Sequence, residues 1–149
     1  MQRRDFCTST LSSTALAIPA AAAAGSGATL KPHSPTGHAY AQACEVINAS
    51  RWLYVSGQVP EDKDGKVPAE FADQYRLAWA NVEAQLRSAG MSYDNLVKVT
   101  IFLASRDLIP KSAGLRRAVI GERSPAITIV IAGIFDAAWL LEIEAVAAA

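Results

Sequence analysis

Cysteine and histidine are scarce in this chain, which limits the chemistry open to it. Its 149 residues include two cysteines and two histidines. Cys7 lies in a leader-like segment, so the part that follows keeps only Cys44 and cannot form an intrachain disulfide. His33 and His38 do not form a cluster with metal-ligand spacing. The sequence therefore predicts no metal site, and no phosphate-loop or dinucleotide motif points to a cofactor.

The chain also lacks an excess of either charge. It has 14 Lys and Arg against 14 Asp and Glu. Nucleic acids and anionic membranes both attract a basic face, so this balance argues against either as the main partner. Hydrophobic residues make up 51% and charged residues 19%. That composition excludes disorder, and the length suits one domain.

No stretch reaches the ~20 strongly apolar residues that cross a bilayer. The first 28 residues carry Arg3-Arg4, a mildly apolar middle and an alanine-rich end around residues 22–24. We expect an export signal of twin-arginine type, or else a disordered leader, over residues 1–28, followed by one domain over 29–149. The expected location is the periplasm, without a membrane anchor, or the cytoplasm if the leader does not function.

Hydrophobic periodicity predicts two helices and five strands. The segment "AEFADQYRLAWANVEAQLRSAG" has one apolar helical face, made of Phe71, Tyr75, Ala78, Trp79, Val82, Leu86 and Ala89. A weaker helix is predicted in "DLIPKSAGLRRAVIG". Strands are predicted around Ala39 to Ile47, at Trp52 to Ser56, in "LVKVTIFLAS", at Ile127 to Ala132 and in "WLLEIEAVAAA". The order β-β-α-β-α-β-β favours an α+β fold, with both helices on one face of a single sheet. The apolar run from Ile127 is expected to be the best-buried strand.

The other face of this sheet mixes apolar and charged side chains: Phe102, Leu140 and Val146 with Lys98, Thr100, Glu142 and Glu144. Such a face is too apolar to leave in water and too charged for a dry core. Packing against copies of the same chain would bury it and leave polar clefts at the seams. An ordinary solvated face is the alternative.

Several segments occur together in a characteristic order. They are "AYAQA", "LYVSGQVP", "DGKV", "DQYRLAWANVEAQLRSAG", "NLVKVTIFL", "SPA" and "EIEAVA". Over about residues 36 to 147 the chain resembles the RidA/YjgF enamine–imine deaminase family. The resemblance implies a chorismate-mutase-like fold and a homotrimer whose sheets form a central barrel, with small-molecule clefts between subunits and no cofactor. Family members hydrolyse reactive imines such as 2-iminobutanoate and 2-iminopropanoate to 2-oxo acids and ammonia.

The resemblance also implies roles for particular residues. Carried over by position, Tyr40 and Glu142 are the catalytic groups, with Glu142 handling the water. Ser56, Gly57 and Gln58 supply backbone contacts to the substrate. These roles suit the reaction, because water that adds to a C=N bond needs a base beside it and a donor for the nitrogen.

The chain departs from the family at one informative position. Deaminating members have Pro-Ala-Arg before the fourth strand, and that arginine clamps the substrate carboxylate. Residues 125–127 are Pro-Ala-Ile here, and Ile127 can neither donate a hydrogen bond nor balance a charge. The chain therefore resembles a divergent Rid subfamily that rejects simple 2-imino acids. Arg116, Arg117 and Arg123 are candidates to enter the cleft from another direction.

Three functions are compatible with these residues. The first is a Rid-type hydrolase for another imine or enamine, and the second is a small-molecule binder that has lost the reaction. The third is a structural protein, which no sequence feature favours. Tyr40 and Glu142 favour the hydrolase, because a pure binder has less need of a base. Ribonuclease activity, also attached to this family, gains no support from a neutral chain without an acid–base histidine pair.

Overall fold

The computed structural model describes residues 27–149, which form six strands and two helices. The strands are β1 (Thr29–Pro35), β2 (Ala41–Ile47), β3 (Trp52–Gln58), β4 (Leu96–Leu103), β5 (Ala126–Ile131) and β6 (Leu141–Ala148). The helices are α1 (Phe71–Ser88) and α2 (Ile109–Ile120), and single 3-10 turns occupy Tyr93–Asn95 and Arg106–Leu108. Residues 1–26 lie outside this description, so the export signal stays a prediction.

The strands form one mixed sheet in the order β1-β2-β5-β4-β6-β3. The core lies between this sheet and the two helices, as the α+β prediction required. Alternate residues of two interior strands point into this core, as their patterns predict: Val99, Ile101 and Leu103 from β4, and Leu141, Ile143 and Ala145 from β6. The predicted α+β sheet with two helices is confirmed.

Helix α1 buries the face that its periodicity predicts. Six of the seven predicted positions are buried: Phe71, Tyr75, Ala78, Trp79, Val82 and Leu86. The helix ends at Ser88, and Gly90 follows with a φ of 70°, the left-handed conformation that glycine tolerates best. Gln74 is buried beside this apolar face, which periodicity alone does not predict.

Strand β1 is absent from the predicted order. It pairs antiparallel with β2 from Thr29 opposite Ile47 to Pro35 opposite Ala41. Its sequence, "TLKPHSP", contains two prolines, which lack the N–H that a central strand must donate. The segment can be a strand because it occupies the edge of the sheet, where the missing donors face solvent.

The expectation that β5 is the best-buried strand is wrong. Its residues are half-buried or exposed, whereas β4 and β6 alternate between buried and half-buried positions. Strand β2 pairs with β5 only at Ala41 opposite Ala126 and then diverges. One edge of β5 is therefore unpaired beyond Ala126. Its apolar residues stay partly exposed because no neighbouring strand covers that edge.

Candidate functional site

A cleft opens where β2 leaves β5. It has a volume of about 410 Å³ and is lined by Tyr40, Gln42, Arg116, Ile127, Thr128 and Ile129. We call it the Arg116 cleft. Tyr40 reaches it from the residue before β2, and the main-chain N–H of Ala41 donates to the Pro125 carbonyl at 3.0 Å. The divergence of the two strands therefore brings Tyr40 and Ile127 to the same opening.

Arg116 is the buried cation of this cleft. Only 3% of its surface is exposed, although it lies on a helix. Its Nη2 donates to the His38 carbonyl at 2.7 Å, and its Cζ lies 5.6 Å from the centroid of the Tyr40 ring. Its Nε is buried without a hydrogen-bond partner. Burial without a counter-ion is costly for a group that stays protonated at any ordinary pH.

The other two arginines lie elsewhere. Arg117 is exposed and forms an ion pair with Glu122, with 3.0 Å between Nη2 and Oε1. Arg123 pairs with Asp94, with 2.6 Å between Nε and Oδ1, and this pair lowers the pKa of Asp94. Neither side chain lines the Arg116 cleft. Of the three arginines that the sequence offered, the structure brings one to Tyr40 and Ile127.

A second group of predicted site residues meets at β3 and β6. The carboxylate of Glu142 lies against the main chain of Gly57, so closely that a Cβ on Gly57 would fall 1.6 Å from Oε1. Gly57 is therefore the residue that leaves room for the Glu142 carboxylate. We call Gly57 and Glu142 the carboxylate corner.

An irregularity in β3 shapes this corner. The pairing with β6 shifts register between Val55 and Gln58, which takes Ser56 and Gly57 out of the regular ladder. Gln58 Nε2 donates to the Ser56 carbonyl at 3.0 Å and to the Gly57 carbonyl at 3.4 Å. The predicted Ser-Gly-Gln loop is thus a bulge whose carbonyls are partly satisfied by its own glutamine.

Two polar residues of α1 hold the chain on either side of the carboxylate corner. Asn81 Nδ2 donates to the carbonyls of Val59 and Glu61, just after β3. Gln74 Nε2 donates to the carbonyls of Pro68 and Ala138, and its Oε1 accepts from the N–H of Leu140 just before β6. Sequence reasoning placed both residues in the family's helix pattern but did not give them this positioning role. Their polar character on a helix that packs against the core was the available signal.

The two groups do not meet within one chain. Ile127 lies opposite Val99, which lies opposite Ala145 in β6. Glu142 is three residues from Ala145, an odd number, so its side chain is on the opposite face of the sheet from Ile127. Ile127 and Glu142 are two strands apart across the sheet and three residues apart along the strand direction. Their Cα atoms are therefore about 14 Å apart. A site containing both would need a second copy of the chain.

The face of the sheet away from the helices has the mixed character that the sequence predicts. A recess of about 320 Å³ on it is lined by residues that include Tyr54, Lys98, Thr100 and Glu144. Tyr54 is 76% exposed there. Partial burial lowers the pKa of Lys98, and the Glu144 charge opposes that shift. Lys98 also donates to the Thr128 hydroxyl.

Within residues 27–149, no helix is both long and apolar enough to cross a membrane. The same residues contain no group of three or more His, Cys, Asp or Glu side chains arranged to hold a metal ion.

Fold and site together define a small α+β protein with polar clefts along the edges of a single sheet. The family described as Endoribonuclease L-PSP matches residues 32–149. A RutC family protein of Pyrococcus horikoshii is 34% identical over 105 residues, which cover 69% of this chain and 83% of that protein. The chain therefore belongs to the Endoribonuclease L-PSP family, the group of the RidA/YjgF proteins.

Solved structures agree with this assignment. The crystal structure of Escherichia coli TdcF with bound serine has a TM-score of 0.63 at 26% identity, over 79% of this chain and 92% of that one. A Rid family protein, YyfB of Yersinia pestis, has a TM-score of 0.71 at 20% identity, over 83% of this chain and 99% of that one. At that identity, the likeness to YyfB concerns the fold alone.

Proposed function

We propose that this protein is a Rid-type hydrolase that converts a reactive imine or enamine into a carbonyl compound and ammonia. The observation that carries the proposal is the carboxylate corner, where the Glu142 carboxylate lies against Gly57 near the end of β3. A carboxylate placed there can take a proton from water as the water oxygen bonds to the imine carbon, and can return that proton to the nitrogen to give a carbinolamine. As the C–N bond breaks, the hydroxyl proton passes to the nitrogen, a C=O bond forms and ammonia leaves; an enamine enters the same route as its imine tautomer. A relative, TdcF of Escherichia coli, carries the words "reactive intermediate deaminase" in its name; it is 34% identical over 58 residues, 38% of this chain and 45% of that protein.

The working unit we propose is a homotrimer. Tyr40 and the Arg116 cleft of one protomer would face the carboxylate corner of the next. A trimer would account for two features of the chain. It would bring together the Arg116 cleft and the carboxylate corner, which are separated within one chain, and it would cover the mixed sheet face with its exposed Tyr54. Gln58 and Ser56 would frame the substrate from the side of β3.

The proposed substrate is an imine or enamine that does not depend on a cation at position 127. Ile127 presents an apolar wall where the family's deaminating members present a guanidinium. A non-catalytic binder with the same clefts is the alternative. The presence of Glu142 at the corner favours the hydrolase, because binding alone needs no base.

The test is hydrolysis of imines generated by an amino-acid oxidase, with semicarbazide trapping to separate catalysed from spontaneous decay. We expect the wild type to accelerate the decay of at least one imine in a panel of varied side chains. Glu142→Gln should lower that rate by roughly a hundredfold or more, because the base is lost.

Glu144→Gln is the matched control, since Glu144 lies two residues along the same strand and lines the recess beside Lys98. It should keep most of the activity. A wild type that accelerates no imine, in a folded protein that still binds small carboxylates, would leave the binder as the function. Equal losses in the two variants would remove Glu142 from the role of base.

A further inference from the structure

We propose that Arg116 is an anion-binding residue, and that the Arg116 cleft takes the carboxylate of a small organic acid. The positive charge that the sequence lacks at position 127 is supplied from α2, on another wall of the same cleft. For the reaction, this inference rests on the proposed function: the substrate becomes an imine that carries a carboxylate directed toward α2. The binding site itself does not depend on turnover.

The first support is an unbalanced buried charge. Arg116 is 3% exposed, and it forms no ion pair with any carboxylate of residues 27–149. The neighbouring Tyr75 hydroxyl cannot serve as its counter-ion, because burial raises the pKa of Tyr75 to about 12. A leucine or methionine would fill the same space without the cost of an unpaired charge. Within one chain that cost is not offset, and a bound anion removes it.

The second support is the geometry of the free donors. A guanidinium has five N–H donors, and the His38 carbonyl takes one from Nη2. Nε lacks a partner. The ring of Tyr40, 5.6 Å from Cζ, fixes the guanidinium from one side. A planar donor group held in this way suits a carboxylate, which accepts two parallel hydrogen bonds.

The third support is the cleft beside it. About 410 Å³ is room for a small molecule, and none of the six lining residues is acidic. Ile127 and Ile129 offer apolar contact, whereas Gln42 offers hydrogen bonds. The chemistry therefore fits a small acid with an apolar side chain, its carboxylate on Arg116 and its side chain against Ile127.

The test is calorimetric binding of pyruvate and of its uncharged analogue pyruvamide to the intact protein. Neither compound is an imine, so the result is independent of hydrolysis. We expect the wild type to bind pyruvate roughly ten- to a hundredfold more tightly than pyruvamide, the range for a charge-assisted pair. Arg116→Gln should abolish this preference. Arg117→Gln, one residue along and paired with Glu122, should retain it.

Several outcomes would overturn the proposal. They are equal binding of pyruvate and pyruvamide by the wild type, no binding of either, or unchanged pyruvate preference in Arg116→Gln. Inorganic phosphate that binds as tightly as pyruvate would overturn the assignment to carboxylates. Should Arg116→Gln fail to fold, the wild-type comparison of the charged and uncharged probes still decides. Loss of imine turnover with the pyruvate preference intact would overturn the proposed reaction and leave the anion site standing.

Discussion

At the scale of single residues, Ile127 and Arg116 line the same cleft from different elements. Ile127 brings an apolar side chain from β5, and Arg116 brings a buried cation from α2. Sequence reasoning included Arg116 only as one of three candidate arginines, because an arginine on a helix is more often solvated. What distinguishes it is burial, which depends on how α2 packs beside the chain around His38.

Gly57 leaves the space that the Glu142 carboxylate occupies. Gly57→Ala should fold with nearly wild-type stability, because the clashing atoms belong to the flexible end of the Glu142 side chain. The displaced carboxylate should nevertheless cost roughly a hundredfold in imine hydrolysis. Thermal unfolding and the oxidase-coupled assay measure the two effects separately.

Gly114→Ala is the matched control for that substitution. A Cβ on Gly114 meets no atom within 4 Å, and alanine is the better helix former in α2. Activity should be unchanged there. If Gly57→Ala keeps full activity, the contact between Gly57 and the Glu142 carboxylate has no part in the reaction.

At the scale of elements, α1 both closes the core and positions the carboxylate corner. Its apolar face packs on the sheet, whereas Gln74 and Asn81 hold the segments beside β6 and β3 by hydrogen bonds to main-chain atoms. The periodic pattern of α1 predicts its apolar face. It does not predict the hydrogen-bond partners of the Gln74 and Asn81 side-chain amides, because those partners lie in loops distant in sequence.

Asn81→Asp is expected to weaken this hold. The new carboxylate would face the carbonyl oxygens of Val59 and Glu61 in place of a donor. Two lost hydrogen bonds and the added repulsion should lower the free energy of unfolding by about 2–4 kcal/mol. Denaturant titration measures it, with Gln85→Glu on the exposed side of α1 as the control. Equal stability of the two variants would show that Asn81 does not hold the loop.

At the scale of the whole molecule, the Arg116 cleft and the carboxylate corner lie on different sides of the sheet. The Arg116 cleft is on the β2–β5 side, and the carboxylate corner is on the far side of β4. The sheet face between them carries Lys98 and Glu144 beside the exposed Tyr54. We expect copies of the chain to cover that face and bring the cleft and the corner together.

Light scattering at micromolar concentration should therefore give three times the mass of one chain. Val146→Lys adds a charge to the face where Tyr54 and Lys98 lie, so it should shift the protein toward the monomer and remove imine hydrolysis with it. Ala84→Lys, on the exposed side of α1, should remain trimeric and active. A wild type that elutes as a monomer yet hydrolyses imines would contradict the need for a second copy.

Four features could be predicted from the amino-acid sequence alone: the α+β class, the apolar face of α1, the alternation of β4 and β6, and an apolar residue in place of an arginine at position 127. These follow from local periodicity and residue chemistry, which need no knowledge of distant contacts. Strand β1 was not predicted because it contains prolines, which have no backbone N–H to donate. A proline fits a strand only at a sheet edge, where no neighbouring strand needs that hydrogen bond. The low burial of β5 was not predicted either. It arises because β2 diverges from β5 after Ala41, and no local sequence pattern indicates that divergence. Two features depend on how separate elements pack, so they could be read only from the folded chain. They are the identity of the buried arginine and the position of Glu142 and Ile127 on opposite faces of the sheet, about 14 Å apart.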